Sequence, residues 1–576
     1  MRRRGVAPVV VFRVLAASVF LGALSPAVHS PAAPRNDQYA RGSKGAVVSA
    51  QPLATAIGLR VLRSGGNAVD AAVAVAFALA VVHPQAGNLG GGGFMVVRMA
   101  DGKNIALDFR ETAPRRAHRD MFLDPDGRVM PRASTATALA AGVPGSPGGL
   151  HRAWKLFGSK PWKELLAPAM RLAKEGFPVD SFLRRAIARS ARSFALWPAS
   201  AAVFLRDGKA PALGTVFRQE DLAGTLARIA AKGPAGFYEG ETARLLADEM
   251  RRTEGLIDLE DLARYAPVER VPVQGTYRGH PILSMPPPSS GGVALLQMLN
   301  MLSDHDLRTL GHGSSSTLHL LIEVMKRAYA DRARWLGDPD HWPVPVRGLI
   351  AEDYAKRISA DIDFAKATRI VRAGQPAGAK ESKDTTHFSV VDADGSAVSC
   401  TTTLNSSFGN KQVVPGAGFL LNNEMDDFSA KPGVPNQFGL VGAKANAIAA
   451  GKRMLSSMTP TIVLTKDGKR PLLVLGSPGG GRIINTVLQV LSNVIDHRLP
   501  LDLAVQAPRV HHQWLPKHVT WERLAVPHDV RAALEAKGHR FATRPGTIGR
   551  CQAIFIGKRG IEAVADPRSG GGAAAW

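Results

Sequence analysis

A chain of 576 residues, 45% hydrophobic and 21% charged, can bury a large core, which excludes a disordered or fibrous molecule. Its 72 Lys and Arg against 48 Asp and Glu leave a net charge of +24, but the basic residues are dispersed. No zinc-finger spacing, RNA-binding signature or basic zipper accompanies them, and two distant cysteines with scattered histidines give no metal-ligand spacing.

Arg2, Arg3 and Arg4 precede an apolar run over 14–24 and small residues over 27–33, the pattern of an export signal spanning about residues 1–30. A run of roughly 11 apolar residues is too short to cross a bilayer, which needs about 20. The expected location is therefore periplasmic or extracellular. A strand over 45–49 leads into a helix over Pro52–Arg63, stopped by Ser64-Gly65-Gly66, and Asn67 caps a second helix. The apolar stretch 71–82 within it reads as buried core. After a loop over 84–89 come the glycine run 90–93, a strand over 94–99, and a strand over Asn104–Phe109 that ends at Arg110.

Residues 144–262 have predominantly helical period. Two basic stretches, Arg184, Arg185, Arg189 and Arg192, then Lys326, Arg327, Arg332 and Arg334, sit at helical spacing and read as solvated helix faces. A strand near 277–288 meets a proline-rich turn before a helix over 293–302. Residues 371–384 are polar and contain glycine and proline, as an exposed linker does. Strands are expected over Thr386–Val391, Ala397–Thr403, 419–422, Thr461–Leu464 and 472–475, followed by a helix over Arg482–Ile495. Cys400 falls in an alternating strand and is expected to pack as a small buried residue; its pairing with Cys551 is allowed but not indicated.

The two alternating runs around Asp394-Gly395 signal a hairpin. A three-residue loop with Gly395 at positive φ makes paired residue numbers sum to 788, so that Thr385 faces Thr403; a two-residue loop would shift the partner to Leu404. A threonine hydroxyl needs a nearby base to act as a nucleophile. If the chain is cut ahead of Thr385, the new α-amine, with a pKa of roughly 7.7–8.0, can supply it. His387, two positions further along the strand, is expected to pack or orient locally.

The motifs GNLGGGGFM, DFRETAP, MPPPSSGG, TTHFSVVD, NNEMDDFS, LSSMTPT and GSPGGGRI, in this order from about residue 40 to the C-terminus, make the chain resemble the γ-glutamyltranspeptidases. The resemblance implies the four-layer αββα sandwich of N-terminal-nucleophile hydrolases. It implies autocleavage into a large subunit, 31–384, and a small one, 385–576, which together form one α/β body. It also implies that Thr385 is nucleophile and base, that Thr403 orients it, and that the amides of Gly479 and Gly480 hold the oxyanion. Arg110, Ser456 and Ser457 match the binders of the substrate α-carboxylate; Asn405, Glu424 and Asp427 match those of the α-ammonium. The implied substrates are γ-glutamyl compounds such as glutathione or glutamine, with amino acid or dipeptide acceptors and no cofactor or metal.

Two positions depart from common family choices: Glu424 stands where some members have glutamine, and Phe438, in a lid-like loop over 432–453, stands where tyrosine is frequent. A glutaryl or cephalosporin acylase of the same superfamily, and a secreted, uncleaved binding protein, are the rival readings.

Overall fold

The computed structural model describes residues 38–376 and 386–576. The expected export signal, the C-terminal part of the linker and Thr385 itself lie outside the described residues.

Fourteen strands form two seven-stranded antiparallel sheets. In chain order they are β1 (Tyr39–Gly42), β2 (Ala46–Ser49), β3 (Gly92–Arg98), β4 (Asn104–Phe109), β5 (Val268–Arg270), β6 (Val273–Tyr277), β7 (His280–Ser284), β8 (Thr386–Val391), β9 (Ala397–Thr403), β10 (Thr461–Leu464), β11 (Pro471–Gly476), β12 (Gln552–Gly557), β13 (Gly560–Ala565) and β14 (Gly572–Ala575). One sheet runs β14-β2-β8-β9-β3-β4-β5, the other β1-β13-β12-β11-β10-β7-β6. Alternation along the strands gives each sheet two apolar faces. Val48, Phe94, Val96 and Val391 of the first sheet meet Leu283, Ile462, Val474 and Ile554 of the second in the core between them.

The outer faces carry helices. Val47, Met95, Val97, Val390 and Cys400 pack under α1 (Pro52–Arg63), α2 (Ala68–Val82) and their neighbours. Ile282, Val463, Leu473 and Leu475 pack under α3 (Gly291–Leu302), α4 (Ser315–Trp335) and α5 (Arg482–Ile495). This is the four-layer αββα sandwich. Helix α2 starts at a capping box, in which Asn67 Oδ1 accepts from Val69 and Asp70 while Asp70 accepts from the Asn67 amide. All its residues are buried, as the apolar run 71–82 requires. No helix among the described residues is long and apolar enough to cross a membrane.

The glycine run is a packing device. A Cβ on Gly90, Gly91, Gly92 or Gly93 would stand 2.1, 1.9, 2.4 and 2.4 Å from the carbonyl oxygens of Leu420, Thr403, Phe109 and Thr401. Backbone therefore lies directly on backbone at the end of β9. Cys400 and Cys551 are both buried and unpaired.

Two expectations are corrected. Residues 419–422 form no strand but a loop with a single bridge between Leu420 and Val413, because Leu421 O accepts from Asn410 N at 3.2 Å while Leu421 N donates to Gln412 O at 2.9 Å. The basic stretch on α4 is not a solvated face. Lys326, Arg327 and Arg332 are buried; the first two pair with Glu323 on the same helix at 2.5 and 2.6 Å, and Arg327 also pairs with Asp361 at 2.6 Å. Among these four residues Arg334 alone is exposed. On the first basic stretch, Arg184, Arg185, Arg189 and Arg192 are exposed as expected.

Candidate active site

The hairpin β8–β9 closes through a three-residue loop. Val391 pairs with Ala397, Asp392 N donates to Ser396 O at 3.0 Å, and Gly395 takes φ +92°. The Asp392 carboxylate accepts from the amides of Asp394 and Ser396, which fixes the turn. Pairing then runs to Thr386 opposite Thr402, the register in which residue numbers sum to 788. Its extension to Thr385 falls outside the described residues. Thr403 is buried, and its Oγ1 accepts from the Asn405 amide at 2.6 Å. That short reach needs the chain to reverse after β9, and Asn405 does so at φ +70°, where asparagine is among the better tolerated residues.

Asn405 joins the strand end to a charged cluster. Its Nδ2 donates to Asn423 O at 2.9 Å and to Asp427 Oδ1 at 3.4 Å, while its Oδ1 is a buried acceptor with no donor among the described residues. Arg110, fully buried where β4 ends, reaches Glu424 Oε2 and Asp427 Oδ2 at 2.7 Å each and Glu111 Oε2 at 3.5 Å. One guanidinium thus faces three carboxylates, a set that favours a second cation. Burial pushes the Glu424 carboxyl well above its ordinary value and Glu111 up to about 7, against the pull of Arg110. An arginine left unpaired at this depth would be strongly destabilising, so these acidic partners are what let it stand there.

Ser456 and Ser457 follow directly on Met454 and Leu455, whose carbonyls accept from Arg110 Nε at 3.2 Å and Nη2 at 3.5 Å. Ser456 Oγ accepts from Met458 N at 3.1 Å, and Ser457 Oγ accepts from Arg332 Nη2 at 3.3 Å. Glu111 and Arg332 were not singled out from the sequence as site residues. Glu111 lies inside the DFRETAP motif and could have been taken with Arg110; Arg332 carried no signal beyond helical spacing.

Gly479 and Gly480 occupy the turn between β11 and α5 at φ +136° and +62°. Their carbonyls accept from Arg482 N at 3.2 Å and Ile483 N at 3.0 Å, starting the helix, while neither amide N–H has an acceptor among the described residues. Gly479, Gly480 and Asn405 line one cavity of about 870 Å³, together with Gln437 and Phe438. Asp427 and Arg332 line a second of about 300 Å³, which Gln437 also borders. The loop between the two is held by Asn436 Nδ2 on Asp427 Oδ1 at 3.3 Å and by Ser406 Oγ on Gln437 Oε1 at 2.6 Å. The Phe438 ring offers that loop no hydroxyl, and its carbonyl instead accepts from Gln513 Nε2 at 3.0 Å.

His387 packs locally, as expected. It is buried, with Nδ1 2.9 Å from Thr401 Oγ1 and Nε2 2.9 Å from Ser389 Oγ, and burial drives its pKa down to about 3. A proton acceptor of that strength is useless near neutral pH.

Residues 54–576 match the family model described as gamma-glutamyltranspeptidase. The chain is 46% identical to the glutathione hydrolase proenzyme of Escherichia coli K12, over 98% of both chains. Among solved structures it resembles a cephalosporin acylase from Bacillus halodurans, with TM-score 0.83 and 29% identity over 96% of this chain and 99% of that one. It also resembles the γ-glutamyltranspeptidase of Helicobacter pylori, with TM-score 0.56 and 45% identity over 57% of this chain and 94% of that one.

Proposed function

The chain belongs to the γ-glutamyltranspeptidase family, and from that premise we propose that it is an exported glutathione hydrolase and γ-glutamyltransferase that matures by cutting its own Asp384–Thr385 bond. The small fragment then begins at Thr385. The α-amine takes the proton of the Thr385 hydroxyl as its oxygen attacks the γ-carbonyl of the substrate. The developing oxyanion is held by the amides of Gly479 and Gly480, donors preset by the turn and without an acceptor among the described residues. The C–N bond breaks, the amine leaves with the proton, and a γ-glutamyl ester remains on Thr385. Water resolves it in hydrolysis; an amino acid or peptide amine resolves it in transfer.

The observation that carries this reading is the continuous link from Thr403 through Asn405 to the buried group of Arg110, Glu424 and Asp427. A γ-glutamyl head has an α-carboxylate and an α-ammonium. Arg110 with Ser456 and Ser457 suits the first; Glu424, Asp427 and Asn405 Oδ1, which has no donor among the described residues, suit the second. That acidic surplus also weighs against an acylase reading, which the likeness to a cephalosporin acylase raises. A glutaryl side chain would bring a carboxylate and no cation to balance Glu424 and Asp427.

Thr385→Ala tests both halves of the proposal. We expect the variant to remain one uncut chain on a denaturing gel and to release no product from a γ-glutamyl anilide, while the parent yields a fragment whose first sequenced residue is Thr385. An uncut parent that turns over the anilide, or a parent preferring the glutaryl anilide, would overturn it.

A further inference from the structure

The larger cavity has a strongly basic lining. Besides the glycine pair, Arg185, Arg189, Arg482, Arg550 and Arg568 line it, against Asp180 as the lining carboxylate. Most of these side chains are already engaged. Asp180 caps a helix by accepting from Leu183 N at 2.7 Å. Arg568 binds Glu522 at 2.6 Å and Asp566 at 3.0 Å. Arg482 Nη1 donates to Thr547 O at 2.9 Å, and Arg185 lies over the Phe182 ring at 4.6 Å. Arg189 and Arg550 differ: among the described residues neither guanidinium has a hydrogen bond or an ion pair.

Arg550 is also fixed in place relative to the glycine pair. Its amide donates to Ser477 Oγ at 2.8 Å, two residues ahead of Gly479. Next to it, Gly549 at φ +69° packs so closely that a Cβ on Gly479 would lie 3.3 Å from its Cα. Both arginines are exposed residues; partial desolvation and the like charge of Arg189 make the Arg550 cation less favourable, with Asp566 opposing them. Two unneutralised guanidinium groups facing one cavity favour an anion between them.

Asn405 in the lining leads to the cluster assigned to the γ-glutamyl head, whereas Arg550 is held beside the glycine pair, so the arginines are left to meet the amine that departs or arrives. We propose that Arg550 and Arg189 form a subsite for the free carboxylate of the amine partner, selecting donors whose leaving group, and acceptors whose chain, are amino acids or peptides bearing that carboxylate. This rests on the γ-glutamyl reading above. In the transfer step the acceptor nitrogen bonds to the ester carbonyl carbon, the bond to Thr385 Oγ breaks, and the amine proton returns to that oxygen through the Thr385 α-amine. The two arginines act by placing the acceptor, with no proton of their own transferred.

The test compares paired substrates in the mature enzyme: glycylglycine against glycylglycine amide as acceptors, and γ-glutamyl-3-carboxy-4-nitroanilide against γ-glutamyl-4-nitroanilide as donors. We expect kcat/KM of the parent to favour the carboxylated member of each pair. Loss of a charge-assisted contact in Arg550→Gln or Arg189→Gln should shrink that preference on the order of tenfold, with partial retention in Arg550→Lys. The readout is a ratio, so a general loss of active enzyme cancels. If Arg550→Gln yields no folded protein, Arg189→Gln and Arg550→Lys give the same ratio. Equal kcat/KM for the paired substrates in the parent, or an unaltered preference in the variants, overturns the subsite. Absence of cleavage of either γ-glutamyl anilide by the parent would instead overturn the underlying reading.

Discussion

Gly479, at φ +136°, holds a conformation that an L side chain adopts only under strain. Gly479→Ala should therefore cost about 1–3 kcal/mol locally. If the amides hold the oxyanion as proposed, that strain should turn them away from it, and kcat should fall about 10²–10³-fold with a smaller change in KM, measured in steady state on a γ-glutamyl anilide. His387 makes a different prediction. Its folded pKa of about 3 lies below an unfolded value of about 6.5. The unfolded chain thus binds the extra proton between those limits, and the contribution of His387 is fully present above pH 6.5 and lost as pH falls toward 3. His387→Asn should be less stable at pH 7, yet lose about 2 kcal/mol less than the parent on moving from pH 7 to pH 5, by denaturant titration at the two pH values. Among the candidate site residues, those in local motifs were legible, since Arg110, Thr403 and Gly479-Gly480 each end or follow a strand that the sequence marks. Arg332 was not, because helical spacing shows that a residue shares a face and is silent on what that face meets. Its contacts to Ser290 and Ser457 come from segments far along the chain.

At the scale of elements, the glycine run and β9 act as one unit. Each glycine removes a side chain where carbonyls of β4, β9 or the loop around Leu420 come within van der Waals contact. Gly91→Ala would press on Thr403 O, so it should displace the end of β9 that carries Thr403. We expect accumulation of the uncut chain on a denaturing gel and a lowered thermal midpoint. Gly224→Ala is the control: it lies within a helix, where a Cβ meets only Arg228 Nη1 at 3.7 Å, and should stabilise by about 0.5–1 kcal/mol. The hairpin β8–β9, the helices α1 and α2 and the strands β3, β4 and β10 could be read from periodicity and turn residues, because each carries its own start and stop. The loop over 419–422 has the composition of a strand without a strand's partner, since Asn410, Gln412 and Val414 engage it in turn contacts instead. Strands β1, β5 and β14 are short and lie at sheet edges, and pairing with distant segments, rather than local pattern, makes them strands.

At the scale of the molecule, chain order and spatial order diverge. Hairpin β8–β9 sits between β2 and β3, and β10 and β11 sit between β7 and β12. Both sheets therefore interleave segments from before and after the proposed cut. Mature enzyme should elute as one species by size exclusion while giving two bands on a denaturing gel; separation of the pieces under native conditions would contradict the proposed organisation. The layers were legible as α/β, whereas which strand neighbours which was not, since the hairpin β8–β9 and β10 pair with strands that precede them by well over a hundred residues.

The wedged hairpin would also make the proposed cut hard to undo. Before the cut, a denatured chain keeps its pieces tethered, and refolding is first order. Afterwards the hairpin must find its slot from bulk solution, so recovery of heat-inactivated enzyme should rise with protein concentration, whereas the rate of inactivation should not. Severing one covalent bond would turn a self-assembling polymer into a dimer that survives chiefly by never coming apart.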